Sequence, residues 1–215
     1  MTVMEAGFPP FSAAEFRRRA LNQSGGPIDD AWRDHGDHLL NPGVLSEVEG
    51  LTLKDAAVLV GIVDDGDDAK VILTQRATKM RKHSGQIAFP GGGIDEGDAS
   101  PEVAAMREAH EEIGLAPGYV ETVGRLPQYL SATGFRIYPV LSVVQRGFTI
   151  VPNPTEVDSV FEVPLSFLMN PYNHRRDSKS WQGIVRHFYV MPYGERHIWG
   201  ITAGILRTLY ERLYA

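Results

Sequence analysis

The 215-residue chain contains no cysteine. Disulfides, thiolate nucleophiles and sulfur-ligated zinc are therefore excluded. It also lacks an apolar run of the ~18–20 residues that a membrane-spanning helix needs. Its opening, MTVMEAGFPPFS, has neither the basic lead nor the apolar stretch of a secretory signal. Positive charge is short as well: 21 Lys and Arg stand against 27 Asp and Glu, a net charge of -6. A broad duplex-binding surface needs the opposite balance, although local basic patches can still hold a phosphorylated small molecule. These absences lead to the expectation of a cytoplasmic protein, without membrane or duplex nucleic-acid partners, that is either an enzyme or a binding module.

What is present is ordinary globular material. Hydrophobic residues make up 43% and charged residues 22%, a balance that suits one folded domain with an added arm. SAAEFRRRAL opens with Ser12 and Glu15 in capping-box spacing, which predicts a short helix. After it the chain reads as irregular or weakly helical to about Gly50. We divide it into an N-terminal arm, 1–53, packing on the core or on a partner subunit in a possible homodimer, and a main domain, 54–215, holding one core. AAVLVGIV (56–63) and KVILTQR (70–76) read as a hairpin around the turn DDGDDA. GQIAFPGGG is a short extended piece. YVETVGRLPQYLS and FRIYPVLSVVQ add strands. EVDSVFEVPLSFLMN reads as a strand followed by a short helix. IVRHFYVMPY and RHIWG are extended, and ITAGILRTLYERLY has the spacing of a helix with one buried stripe. The pattern predicts a mixed α/β architecture.

A helix is expected from Pro101 to Ile113, with Ser100 as N-cap, proline in the first turn and Gly114 as the stop. Glu108, Glu111 and Glu112 are spaced to share one face, and Val103, Met106, Ala109 and Ile113 are expected to pack inward. Three like charges on one face repel. Arg107 can pair with Glu111 but cannot neutralise all three. Magnesium or manganese can, because hard divalent ions take carboxylate oxygens and bridge to phosphate. The alternative is a solvated helix face, since glutamate is a good helix former. The glycines at 91–93 favour the first reading, because they allow backbone to approach a ligand closely.

REAHEEIGL (107–115) resembles the end of the Nudix box, G-x5-E-x7-R-E-U-x-E-E-x-G-U, through Arg107, Glu108, Ala109, Glu111, Glu112, Gly114 and Leu115. The resemblance implies a Nudix fold, a mixed β-sheet sandwiched between α-helices, and metal-dependent hydrolysis of nucleoside diphosphate derivatives. Within that superfamily, LTQRATKMRKHSGQIAFPGG (73–92) is similar to the signature of the coenzyme A diphosphatase branch, through Thr74, Arg76, Met80, Arg81, His83, Gly85, Gln86, Phe89, Pro90, Gly91 and Gly92. Coenzyme A is thus the expected substrate, with ADP-ribose, NADH or another nucleoside diphosphate derivative as the alternative. A non-catalytic nucleotide-binding module is a further one.

The resemblance makes Glu108, Glu111 and Glu112 metal ligands, joined by a backbone carbonyl near Gly92. Glu156, at a loop-to-strand junction, is the candidate base in a later loop. Arg107 is expected to orient carboxylates. Arg76, Arg81 and His83 are candidate substrate contacts, arginine being suited to phosphate by its forked donors. Trp181, Tyr189 and Trp199 are candidates for stacking on adenine or for core packing. One departure stands out. Strict spacing places Ala99 where the box has its first Glu, and Asp98 precedes it. Counting from Gly92 brings Asp98 into register with one residue inserted, where it can support the helix start or an outer water of the metal.

Overall fold

Two strands rich in β-branched residues set the frame, and their alternation divides the interior in two. On β1 (Lys54–Val63), Ala57, Leu59 and Val63 face one side, while Ala56, Val60 and Ile62 face the other. On β2 (Lys70–Arg76), Ile72 joins the first set and Val71 and Leu73 the second. Period-two alternation with both faces apolar means that the sheet is covered on both sides. The computed structural model describes residues 7–26, 28–44, 46, 52–79, 84–181 and 183–215.

β1 and β2 form the expected antiparallel hairpin. β3 (Ile87–Ala88) pairs with β2, and β4 (Gly91–Gly93) runs antiparallel to β1. The helix α3 (Pro101–Ile113) follows, then β5 (Val120–Arg125), β6 (Tyr129–Leu130) and β7 (Phe135–Val144). β7 lies parallel to β1 along its whole length, from Lys54 opposite Phe135 to Val63 opposite Val144. With antiparallel partners elsewhere, the sheet is mixed, in the order β3-β2-β1-β7-β5. β8 (Val157–Pro164) adds to β2 and leads into the short α4 (Leu165–Leu168). β9 (Arg175–Trp181), β10 (Ile184–Tyr193) and β11 (Arg196–Trp199) make a second antiparallel sheet, and α5 (Ile201–Leu213) ends the chain. α3 covers one face of the main sheet, and α5 with α1 (Ala13–Leu21) covers the other. The expected architecture, a mixed sheet between helices, is the one observed.

The core extends beyond the residues after 54. Phe16 of α1 is fully buried in the same cluster as Val60, Leu73 and Leu206. Ser12 caps α1 by accepting from the Glu15 N–H at 3.2 Å, but the Glu15 carboxylate turns to Arg18 and Arg19. Arg19 in turn donates to the Leu213 carbonyl at 2.7 Å, and the buried Arg212 donates to Gly26 at 3.2 Å. Further along the arm are a 3-10 turn (Ala31–Asp34) and α2 (Asp37–Leu40). Through Phe16, Arg19 and Gly26, the described part of the arm thus packs on the core of the same chain. Among the described residues, no helix is long and apolar enough to cross a membrane.

Candidate functional site

The local sequence fixes α3 at both ends. Ser100 is extended and accepts from the Val103 N–H at 3.4 Å, Pro101 opens the helix, and Gly114 closes it in the left-handed conformation at φ 71°. The buried stripe is Ala104, Ala105, Ala109, Glu112 and Ile113. Val103, expected inward, is 39% exposed. Successive residues turn about 100° around a helix axis, so Val103 points nearly opposite Ala105. Small alanines let the helix lie close on β1, and that closeness brings its glutamates to the glycine strand.

Glu112 is the deepest of the three. It is 3% exposed, accepts from the Gly91 N–H at 3.1 Å, and lies 3.6 Å from the Arg76 guanidinium. Burial pushes its carboxyl up to about 7, and the charges of Glu108 and Glu156 push in the same direction. Burial also raises Glu108, against the opposing pull of Arg107. The carboxylate of Glu108 rests against Gly92, where an added Cβ would come within 2.5–2.6 Å of it. At Gly91 a Cβ would collide with the Ala57 carbonyl. Gly91 therefore lets the strand lie against β1, and Gly92 leaves room for the Glu108 carboxylate. Glu111 is outermost, its side chain 56% exposed.

Arg107 ties this face together. It donates to Glu108 at 2.9 Å, Glu111 at 3.1 Å and the Gly93 carbonyl at 3.1 Å. It also grips both oxygens of Asp98, at 3.1 and 2.9 Å. Asp98 is thereby held below the usual carboxylate range, helped by the Asp95 N–H. The expectation that Arg107 orients carboxylates fits this geometry. The structure adds an employment of Asp98 that was not expected: its two oxygens accept from Arg107 and from the Asp95 N–H. Pairwise reading of the helix missed this contact; the shifted box spacing was its one trace.

Glu156 precedes β8 in a turn whose backbone is pinned on two sides. Its carbonyl accepts from Ala77 at 2.8 Å, and its N–H donates to Asn153. The Asn153 N–H donates to the Glu112 carbonyl at 2.8 Å. The turn thus joins the end of β2 to the end of α3 and brings Glu156 within electrostatic reach of Glu108 and Glu112. Arg81 and His83 lie outside the described residues. The guanidinium groups of Arg176 and Arg207 lie 5.9 and 5.6 Å from the Tyr189 ring, and Trp199 lies against Phe188 at 5.1 Å. The side chain of Trp181 is outside the described set.

Among the described residues no three carboxylate or imidazole groups already converge on one point. Arg107 occupies Glu108 and Glu111 instead. The donor set nevertheless suits a hard cation. Two carboxylates are driven towards neutrality by burial, and acidic groups crowd the last turn of a helix, where the backbone dipole disfavours them. A divalent ion removes both penalties.

The NUDIX domain family model matches residues 53–181. The protein named uncharacterized Nudix hydrolase NudL from Enterobacter sp. (strain 638) is 40% identical over 179 residues, covering 80% of this chain and 88% of that one. The Escherichia coli (strain K12) protein of the same name is 37% identical over 171 residues, with the same shares. Nudix hydrolase 15, mitochondrial, from Arabidopsis thaliana is 39% identical over 170 residues, which is 74% of this chain and 60% of that protein. The chain belongs to the Nudix family. It is a hydrolase of phosphoanhydride bonds in nucleoside diphosphate derivatives, a chemistry that generally requires a divalent metal.

Proposed function

We propose that this Nudix hydrolase splits the diphosphate of coenzyme A and its thioesters, giving 3',5'-ADP and 4'-phosphopantetheine or its acylated form. The observation that carries the reading is Arg76. It belongs to the segment 73–92 that resembles the coenzyme A branch, and its guanidinium stands 3.6 Å from Glu112. A cation of the substrate-specific segment thus borders the acidic face, where a diphosphate oxygen can take its forked donors.

Glu108, Glu111 and Glu112 would hold magnesium or manganese, with the Gly92 carbonyl as a further ligand. When bound, the ion neutralises diphosphate charge and makes a coordinated water more acidic. Glu156 accepts the proton of the attacking water as a P–O bond of the diphosphate breaks. Arg107 would yield Glu108 and Glu111 to the ion, while its two bonds to Asp98 would keep the positive charge at the site. Arg81 and His83 complete the substrate contacts from the same segment as Arg76.

The test is a product-resolved panel with magnesium and with manganese: coenzyme A, acetyl-coenzyme A, ADP-ribose and NADH. We expect the highest kcat/KM on the coenzyme A compounds, with 3',5'-ADP as product. Better turnover of ADP-ribose would sink the substrate assignment and leave the hydrolase intact. Glu112→Gln is expected to lose activity by orders of magnitude on every compound while remaining folded.

A further inference from the structure

Among the described residues, β9 forms the free edge of the three-stranded sheet. Residues 175–180 are all exposed, although Arg176 reaches over the Tyr189 ring of β10. Across the hairpin, Ile184 and Val185 are 51% and 55% exposed. An open edge beside apolar side chains is a template for another strand.

The direction of the unpaired backbone groups follows from two contacts. Ser178 lies opposite His187 of β10. The His187 N–H donates to Asn41 Oδ1, and its carbonyl accepts from Asn41 Nδ2, both at 2.8 Å. Both His187 groups therefore point away from β9. Residues opposed in an antiparallel ladder exchange both hydrogen bonds or neither. Ser178 accordingly turns its N–H and carbonyl to the free edge, where Asp177 Oδ1 accepts from the N–H at 2.7 Å. Alternation sends the backbone groups of Arg176 and Ser180 to the same edge.

We propose that β9 pairs antiparallel with β9 of a second copy of this chain, about a two-fold axis at Ser178. A two-fold ladder centred on a residue sets edge-facing groups against edge-facing groups. Charge then selects the centre. Centring on Arg176, Asp177 or Lys179 sets each of those charges against its own copy, which destabilises a cross-strand pair. Centring on Ser178 sets Asp177 against the partner's Lys179 and Lys179 against the partner's Asp177. It also engages the full strand, Arg175–Trp181. The Ser178 pair exchanges both hydrogen bonds, and the neighbouring Asp–Lys pairs occupy the closer, non-hydrogen-bonded positions. On pairing, Asp177 gives up the Ser178 N–H to the partner's Ser178 carbonyl and turns to the partner's Lys179. The interface is isologous, as a two-fold dimer requires.

The experiment is sedimentation equilibrium of the full chain at micromolar concentrations. The expected mass is twice the 23.8 kDa of one chain. Asp177→Lys and Lys179→Asp each create two like-charge contacts, and each should weaken the dimer by about tenfold or more. An equimolar mixture of these two variants should form a heterodimer, because opposite charges then face each other across both strands. Ser178→Pro removes the edge-facing N–H without touching a bond to β10 and should give a monomer, with circular dichroism reporting an intact fold. A wild-type monomer at every concentration would overturn the proposal. So would a dimer indifferent to all these variants, which would locate the interface elsewhere.

Discussion

Arg107 and Asp98 form a two-bond ion pair nine residues apart, joining the loop before α3 to the middle of that helix. The same guanidinium reaches Glu108 and Glu111. Asp98 therefore determines how firmly Arg107 sits on the two outer glutamates. Without Asp98, Arg107 keeps only Asp95 at 3.5 Å and the Gly93 carbonyl besides Glu108 and Glu111, so more of its charge falls to those two glutamates and competes with a metal ion for them. We expect Asp98→Ala to weaken manganese binding and to lower kcat by about 10–100-fold, the usual cost of losing a group that orients metal ligands. Asp98→Glu should recover most of both. Manganese titration and steady-state kinetics on the two variants check this, and unchanged metal affinity in Asp98→Ala would refute it.

Gly92 offers a narrower test. A Cβ at this position meets the Glu108 carboxylate at 2.5–2.6 Å, so Gly92→Ala must displace the end of that side chain. The end of a glutamate moves cheaply, and the strand needs no other adjustment. Stability should therefore change little. Activity should fall by about 100-fold, as it does when a reacting geometry is shifted by about an ångström. Thermal unfolding together with kcat/KM separates the two effects. A large loss of stability would mean that Gly92 serves the strand instead of the site.

How much of this was readable beforehand depends on the range of each interaction. Ser100, Pro101 and Gly114 act within a turn of the backbone they shape, so α3 was legible to the residue. The spacing of Glu108, Glu111 and Glu112 was legible for the same reason. Their unequal depth was not. It depends on where β1 lies, and the alanines that approach β1 point away from Val103. The parallel pairing of β1 with β7 joins segments about eighty residues apart, and local pattern carries no sign of it. The arm was ambiguous because Phe16 is apolar in either setting, whether against its own core or against a partner. The Asp98–Arg107 pair depends on the turn at 95–98, whose Asp98 N–H donates to the Asp95 carbonyl at 3.0 Å. Spacing alone could register Asp98 only as a displaced acid.

The arm also carries a pH-dependent element. Hydrogen bonds from Arg18 hold the Glu15 carboxyl down at about 2, against an ordinary 4.5, with Arg19 adding to the effect. A depressed acid contributes stability that is fully present above the unfolded value and lost as pH falls through the folded one. The relevant window therefore runs from about pH 4.5 down to about 2. The full shift corresponds to about 3 kcal/mol. Water around the half-exposed Arg18 reduces the net effect to roughly 1–2 kcal/mol. Urea unfolding across this window should show that loss in the wild type and a smaller one in Glu15→Gln. Parallel pH profiles would remove Glu15 from the account.

Tyr129 carries the other attachment of the arm. It is fully buried on β6, and its hydroxyl donates to Asp37 of α2. Burial raises the Asp37 carboxyl, and this hydrogen bond opposes the rise. The tyrosine ring reaches Asp37 by passing over α5 at Gly204, where a Cβ would overlap the hydroxyl. Glycine inside a helix costs about 1 kcal/mol relative to alanine, so Gly204 is retained for the space it leaves. Gly204→Ala should therefore destabilise despite its better helix propensity, by about 1–3 kcal/mol, the usual range for overpacking. Tyr129→Phe should cost about 1–3 kcal/mol by a different route, leaving the Asp37 carboxylate without its donor. If both effects act through the same contact, the double variant should cost clearly less than the sum of the two. Strict additivity in the unfolding free energies would show that Gly204 and the Tyr129 hydroxyl act independently.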